Sequence, residues 1–304
     1  MTTFKWFALL ILAATVVSTL PAETHCPGNV ASLPIRVLNG YQIVVPVSID
    51  HSGPYDFLLD TGTQMTIVGP ALADALHLKT QGAAVVAGAG FHEPASFSQL
   101  DLLEAGSHSL GNQKVLVYGL LNLRSVDSHI RGILGEDFLE HFDMLIDFAH
   151  RLLCLDDSAA MQAGIKGPRV PLLTPAQAQD GPPLSNLRII TARLSGETQP
   201  VRLMLDSGSS IPYLYNTSQR LAPHVIWGAS LVGSGANGDQ QIFFALPPQK
   251  VKIGSIALPE VTFLTLANPR NNSRTREFDG LLTMNLFRCV FISHTGNFAV
   301  LQPR

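Results

Sequence analysis

Short apolar runs, broken by Gly, Pro, Asn and Asp, recur along most of the chain. Tyr41 to Ile49, Val115 to Tyr118, Met144 to Phe148, Val251 to Ile253 and Phe298 to Leu301 are examples, rich in Val, Ile, Leu and Phe. Runs of that length between turn residues predict strands. Helical signals are few: Pro70 to Leu78, where Pro70 suits a first helical position, and about Thr217 to Leu221. The pattern predicts a mostly β protein with few short helices.

Two of the apolar runs end alike. Phe57-Leu58-Leu59 leads into Asp60-Thr61-Gly62-Thr63, and Leu203-Met204-Leu205 leads into Asp206-Ser207-Gly208-Ser209. Further on, Gly132-Ile133-Leu134-Gly135-Glu136-Asp137-Phe138-Leu139 lines up with Gly280-Leu281-Leu282-Thr283-Met284-Asn285-Leu286-Phe287. Residue 132 stands 72 positions after Asp60, and residue 280 stands 74 after Asp206. A strand, an acidic turn and a later apolar-Gly segment at matching spacing make a duplicated unit. Between the copies, 167–183 holds five prolines without sustained periodicity and reads as an extended linker, with the boundary near residue 175.

A duplicated unit carrying one carboxylate can bring two of them face to face across a pseudo-two-fold axis. Two close carboxyls cannot both ionise, so such a pair holds one proton, and one member serves as base while the other serves as acid. Gly62 and Gly208 suit backbone turns that present N–H groups near the carboxyls. Thr283, where the first copy has Gly135, is the main departure between the copies, because a β-branched side chain could crowd the loop bearing Asp206.

In these motifs the chain resembles the aspartic protease superfamily, over roughly residues 33 to 302. The first copy is similar to the retropepsin-like aspartyl proteases, and two copies in one chain resemble the pepsin arrangement. The resemblance implies a bilobal acid protease fold, with an N-terminal lobe at 33–166 and a C-terminal lobe at 184–302. It implies Asp60 and Asp206 as catalytic groups. Thr61 and Ser207 would hydrogen-bond across the lobes, and Thr63 and Ser209 would bond the outer carboxylate oxygens. The glycine-rich stretches Ala87 to His92, including Gly88, Gly90 and Phe91, and Gly233 to Gly238, including Gly233 and Gly235, are expected to cover a substrate. The second stretch also fits the dinucleotide pattern G-x-G-x-x-G, but Gln240 to Leu246 after it reads as a strand, so that match is set aside. The implied activity is endopeptidase cleavage of a peptide or unfolded protein; the alternative is a peptide-binding protein that keeps the fold without turnover.

Composition narrows the picture. The 304 residues suffice for two lobes, and 46% hydrophobic against 14% charged content suits a large core. A net charge of −3 supplies no general basic footprint for nucleic acid. The 10 histidines and 3 cysteines show no His-Glu-x-x-His or Cys-x-x-Cys spacing, so neither metal nor cofactor is expected. Cys154 and Cys289 lie in apolar segments and read as buried small hydrophobes, and Cys26 as unpaired. Residues 1–22, with Lys5 before the uncharged run Trp6 to Leu20, read as a secretory signal or an uncleaved anchor. Either makes the protein exported, periplasmic or secreted, with membrane contact only if the segment is retained. With both copies in one chain, a monomer is sufficient for a complete site.

Overall fold

The structure is a computed structural model that describes residues 25–88, 91–173, 186–215, 230–234, 240–266 and 278–304. Among the described residues strands dominate and form three sheets. An eight-stranded sheet is built wholly from the first half of the chain, from Arg36–Leu38 to Ile130–Leu134. A nine-stranded sheet comes wholly from the second, from Ile189–Leu194 to Gly280–Thr283. The third, six-stranded, is shared: Asp143–Asp147 of the first half lies antiparallel beside Phe287–Ser293 of the second, with Leu145 opposite Phe291.

Burial explains the two kinds of strand pattern. Ile189–Leu194 alternates, with Ile190, Ala192 and Leu194 inward and Thr191 and Arg193 outward, as a strand covered on one face must. Gln42–Ile49 is buried at six of its eight positions, because it is covered on both faces and reads as a continuous apolar run. The main core joins the halves, running from Val45, Phe57 and Phe138 through Met144 and Ile146 to Ile190, Leu205, Phe263 and Phe287.

Two expectations are changed and three lie wholly or partly outside the described residues. The helix expected from Pro70 to Leu78 spans only Pro70–Ala75. His77 turns to φ 54°, and the Leu78 N–H reaches back to the Ala73 carbonyl at 2.9 Å, which closes the helix early. Cys154, expected as a separate buried hydrophobe, and Cys26, expected unpaired, instead form a disulfide, with Cα atoms 5.8 Å apart across 128 positions of sequence. The strand Ser32–Pro34 pairs with Leu152–Asp156, setting Ser32 opposite Cys154 and drawing the N-terminal segment to that edge of the shared sheet. Cys289 is a free thiol. The N-terminal apolar run, the expected helix at 217–221 and residues 174–183 of the expected linker, with its boundary, lie outside the described residues; 169–171 of that linker form an edge strand against Phe298–Pro303. No helix among the described residues is long and apolar enough to cross a membrane.

Candidate active site

Each acidic turn is held by the same crossing of strands. Ser52–Leu59 runs parallel to Ile130–Leu134, with Phe57 opposite Gly132 and Leu59 opposite Leu134. Val201–Asp206 runs parallel to Gly280–Thr283 in the same register, with Leu203 opposite Gly280 and Leu205 opposite Leu282. On the other side of each crossing strand lies a two-residue strand seven positions past the Asp. Ile67 pairs with Ile133 in the first half, and Tyr213 with Leu281 in the second. The chain thus leaves one side of the crossing strand, makes the Asp turn over its end and returns on the other side.

The two turns meet. The Thr61 N–H donates to Ser207 Oγ at 3.1 Å and the Ser207 N–H to Thr61 Oγ1 at 3.1 Å. Each hydroxyl then donates to a carbonyl of the opposite half, Thr61 to Leu205 and Ser207 to Leu59, both at 2.9 Å. All four groups are buried, so the lattice is satisfied internally and joins the halves without water. Gly62 and Gly208 have a role beyond turning. A Cβ on Gly62 would stand 2.7 Å from the Asp206 carboxyl carbon, and one on Gly208 would stand 2.5 Å from that of Asp60. Neither glycine has the left-handed φ that would by itself demand glycine; each is needed because the opposite carboxyl lies against its backbone.

Asp60 and Asp206 lie close enough for each to bear on the other's ionisation. The Gly62 N–H donates to Asp60 Oδ1 at 2.8 Å, and the Thr63 hydroxyl to Asp60 Oδ2 at 2.7 Å. Asp206 Oδ1 accepts from the N–H groups of Gly208 at 2.8 Å and Ser209 at 2.9 Å. The Ser209 hydroxyl corrects the expectation drawn for it: it donates to the Ile211 carbonyl at 2.9 Å, and only the backbone of Ser209 supports the carboxyl. Burial, then the Asp60 charge, pushes the Asp206 carboxyl up to about 8. Burial likewise raises Asp60, against the pull of its Thr63 and Gly62 bonds. Such a pair keeps a proton that ordinary carboxyls would release.

Thr283 does not crowd the second turn. Its side chain is buried, and its hydroxyl donates to the Ser209 carbonyl at 2.6 Å. In the first half the same carbonyl position, Thr63, receives the Glu136 N–H at 2.8 Å.

The expected covers are hairpins as far as they are described. Ala83–Gly88 pairs with Phe91–Ala105, closing at Gly88 opposite Phe91, and Gly90 lies outside the described residues. Ser230–Ser234 pairs with Gln240–Ala245, placing Gly233 opposite Gln241, and Gly235 lies outside. Gly233 and Ser234 thus stand in a strand that pairs with the strand following 235–239.

Sequence reading passed over a polar cluster beside the first turn. Glu136, wholly buried, faces His294 Nε2 at 3.2 Å and Arg188 Nε at 3.5 Å through its Oε2. The only sequence signal was a pair of adjacent acids, Glu136 and Asp137, inside the otherwise apolar stretch Ile133 to Leu139. Asp137, next to it, has a structural role: its Oδ1 accepts the N–H and hydroxyl of Thr66, both at 2.8 Å, while burial pushes its carboxyl up to about 6. Asp143 takes the hydroxyls of Ser293 and Thr295 and the Gln162 amide, and Asp147 caps the turn at Ala149 and His150. No cluster of three or more metal-ligating side chains occurs among the described residues.

The aspartyl protease family matches residues 45–138, which hold the first turn and its crossing strand. A search of curated proteins finds no match. Among solved structures the chain is similar to a retropepsin-like aspartic protease from Rickettsia conorii, at 22% identity over 41% of this chain and 90% of that one, with a TM-score of 0.32.

Proposed function

We propose that this chain, whose residues 45–138 match the aspartyl protease family, is an endopeptidase whose Asp60 and Asp206 together activate a water molecule against a peptide bond. The observation that carries the reading is the meeting of the two carboxyls, each supported by donors from its own turn and packed on the glycine of the other. With one proton on the pair, the ionised carboxylate takes a proton from water as that water attacks the carbonyl carbon. The protonated carboxyl hydrogen-bonds the carbonyl oxygen as charge develops there. The proton belongs to the pair, so neither role is fixed to one residue.

The raised carboxyls give the pH dependence its sign. Activity needs the singly protonated pair; it falls at low pH as the second carboxyl is protonated, and at high pH as the retained proton is lost. Because burial and mutual charge hold that proton unusually tightly, the upper limb lies well above the ordinary carboxylate range. In the test, Asp60→Asn and Asp206→Asn each abolish cleavage of an unfolded protein while circular dichroism stays native. Cleavage retained by either variant excludes the shared-proton mechanism, and peptide binding without cleavage by the unaltered chain favours the non-catalytic alternative.

The disulfide supports export, because such bonds persist in oxidising compartments and are rare in the cytosol. Protein recovered from an oxidising compartment then carries one free thiol, that of Cys289. Three free thiols in natively expressed protein count against export.

A further inference from the structure

We propose that Glu136 and His294 hold one proton between them, and that this buried pair, joining the two halves beside the acidic turns, positions the charge that governs when the Asp60–Asp206 pair gives up its own proton. The inference rests on the catalytic reading above and adds residues that the acidic motifs do not contain.

The argument starts from what each His294 ring nitrogen faces. Nδ1 lies 2.5 Å from the Phe142 carbonyl, which can only accept, so Nδ1 carries a hydrogen. Nε2 lies 3.2 Å from Glu136 Oε2. A neutral ring with its hydrogen on Nδ1 presents a lone pair at Nε2, and a lone pair facing a carboxylate is repulsive. Two arrangements remain: an imidazolium donating to a carboxylate, or a carboxylic acid donating to a neutral imidazole. Both place a proton between the two residues. The His294 side chain is 1% exposed and Glu136 has no exposure, so water cannot take that proton's place.

The surroundings tie the pair to catalysis. The Glu136 N–H donates to the Thr63 carbonyl, and the Thr63 hydroxyl donates to Asp60. Arg188 beside the same Oε2 favours the imidazolium–carboxylate arrangement, and the Glu136 charge then opposes ionisation of Asp60. Glu136 Oε1 is buried with no hydrogen-bond partner among the described residues, so the acid relies on Oε2 for its compensation. Arg188, beside Glu136, also faces Glu140 at 3.6 Å. The charged and titratable groups around Glu136 are therefore Asp60 at the end of one strand, Asp137 and Glu140 on its own short helix, Arg188 leading into the second half, and His294 after a strand of the shared sheet. Arg188 and His294 belong to the second half, and Glu136 to the first. The proton held here is at once a bond between the halves and a charge beside the reacting pair.

The sign follows. Removing the acid takes away a negative charge that opposes ionisation of Asp60, so the dyad releases its proton at lower pH. Removing the imidazole leaves Glu136 balanced by Arg188 alone, so the dyad holds its proton to higher pH. A merely structural link would weaken the fold in both variants without shifting the titration in opposite directions.

The experiment is an NMR titration of the full chain, reading the His294 ring nitrogens and the Asp60 and Asp206 carboxyl carbons in the unaltered protein, Glu136→Gln and His294→Gln. Nδ1 is expected to be protonated, and the pH at which the shared proton is lost is expected to appear as an inflection in the Asp60 carboxyl signal. The variants are expected to displace the dyad titration by about half a pH unit in opposite directions. A His294 ring protonated on Nε2 alone, an Asp60 signal without that inflection, or displacements of the same sign overturn the proposal. The first two readings need no variant and decide the matter even if both substitutions prevent folding. Because titration is read without turnover, opposite displacements in a protein that cuts no peptide would overturn the peptidase reading and leave this one standing.

Discussion

The two acidic turns share a strand register and differ in how the crossing strand is fastened to them. In the first half, main chain meets main chain: the N–H groups of Glu136 and Asp137 donate to the carbonyls of Thr63 and Gln64 at 2.8 and 3.1 Å. Side chains replace both donors in the second. Thr283 Oγ1 reaches Ser209 at 2.6 Å, and Asn285 Nδ2 reaches Ser210 at 3.1 Å. Gly135 permits the first arrangement, since a Cβ there would stand 2.7 Å from the Met65 carbonyl carbon and 2.9 Å from the Thr63 oxygen. Where the second half accommodates a side chain, its hydroxyl spans the gap. The same carbonyls are satisfied in both, so the departure at Thr283 changes the fastening and leaves the Asp turn in register.

A second difference lies in the carboxyls. Asp60 is held at both oxygens, by Gly62 and Thr63, whereas both backbone donors to Asp206 converge on Oδ1. The pair is symmetric in the strands that deliver it and asymmetric in the hydrogens that reach it.

Substitutions can break this comparison. The largest effect is expected from Gly135→Thr, which copies the second half's residue into the first. With backbone atoms in the way, the crossing strand must move, at a cost of about 3 kcal/mol read as a lower denaturation midpoint. A change under about 0.5 kcal/mol would mean that the two fastenings are interchangeable. Smaller effects distinguish the residues after the glycines. Thr63→Ala removes a hydroxyl bonded to a carboxyl of the pair, a loss of about 2 kcal/mol that lowers kcat/KM more than tenfold. Ser209→Ala removes a hydroxyl that bonds the Ile211 carbonyl instead, and kcat/KM changes less than about twofold. Equal losses in the two alanine variants would restore the symmetric picture drawn from sequence.

Much of this arrangement was legible along the chain because it is local or repeated. Apolar runs ending in Asp-hydroxyl-Gly marked both turns, and the matching separations paired each turn with its crossing strand. The Ser209 hydroxyl escaped that reading because the choice between a carboxylate and a nearby carbonyl depends on the path of the loop, which Ser209 and Thr63 do not share. Glu136 escaped it because a carboxylate in an apolar stretch has meaning only when its counter-charges are known. Those lie at Arg188 and His294, far along the chain.

Sequence alone determined the mostly β character, the duplication and the identity of the two acids, since strand length, turn chemistry and internal spacing are properties of neighbours in the chain. Tertiary structure decided that Cys26 binds Cys154, that Gly62 and Gly208 serve as contact surfaces for the opposite carboxyls, and that a buried acid is balanced across the halves. Each of these depends on atoms brought within a few ångströms by the shared sheet and the crossing strands. Linear spacing does not encode such distances until the chain has folded.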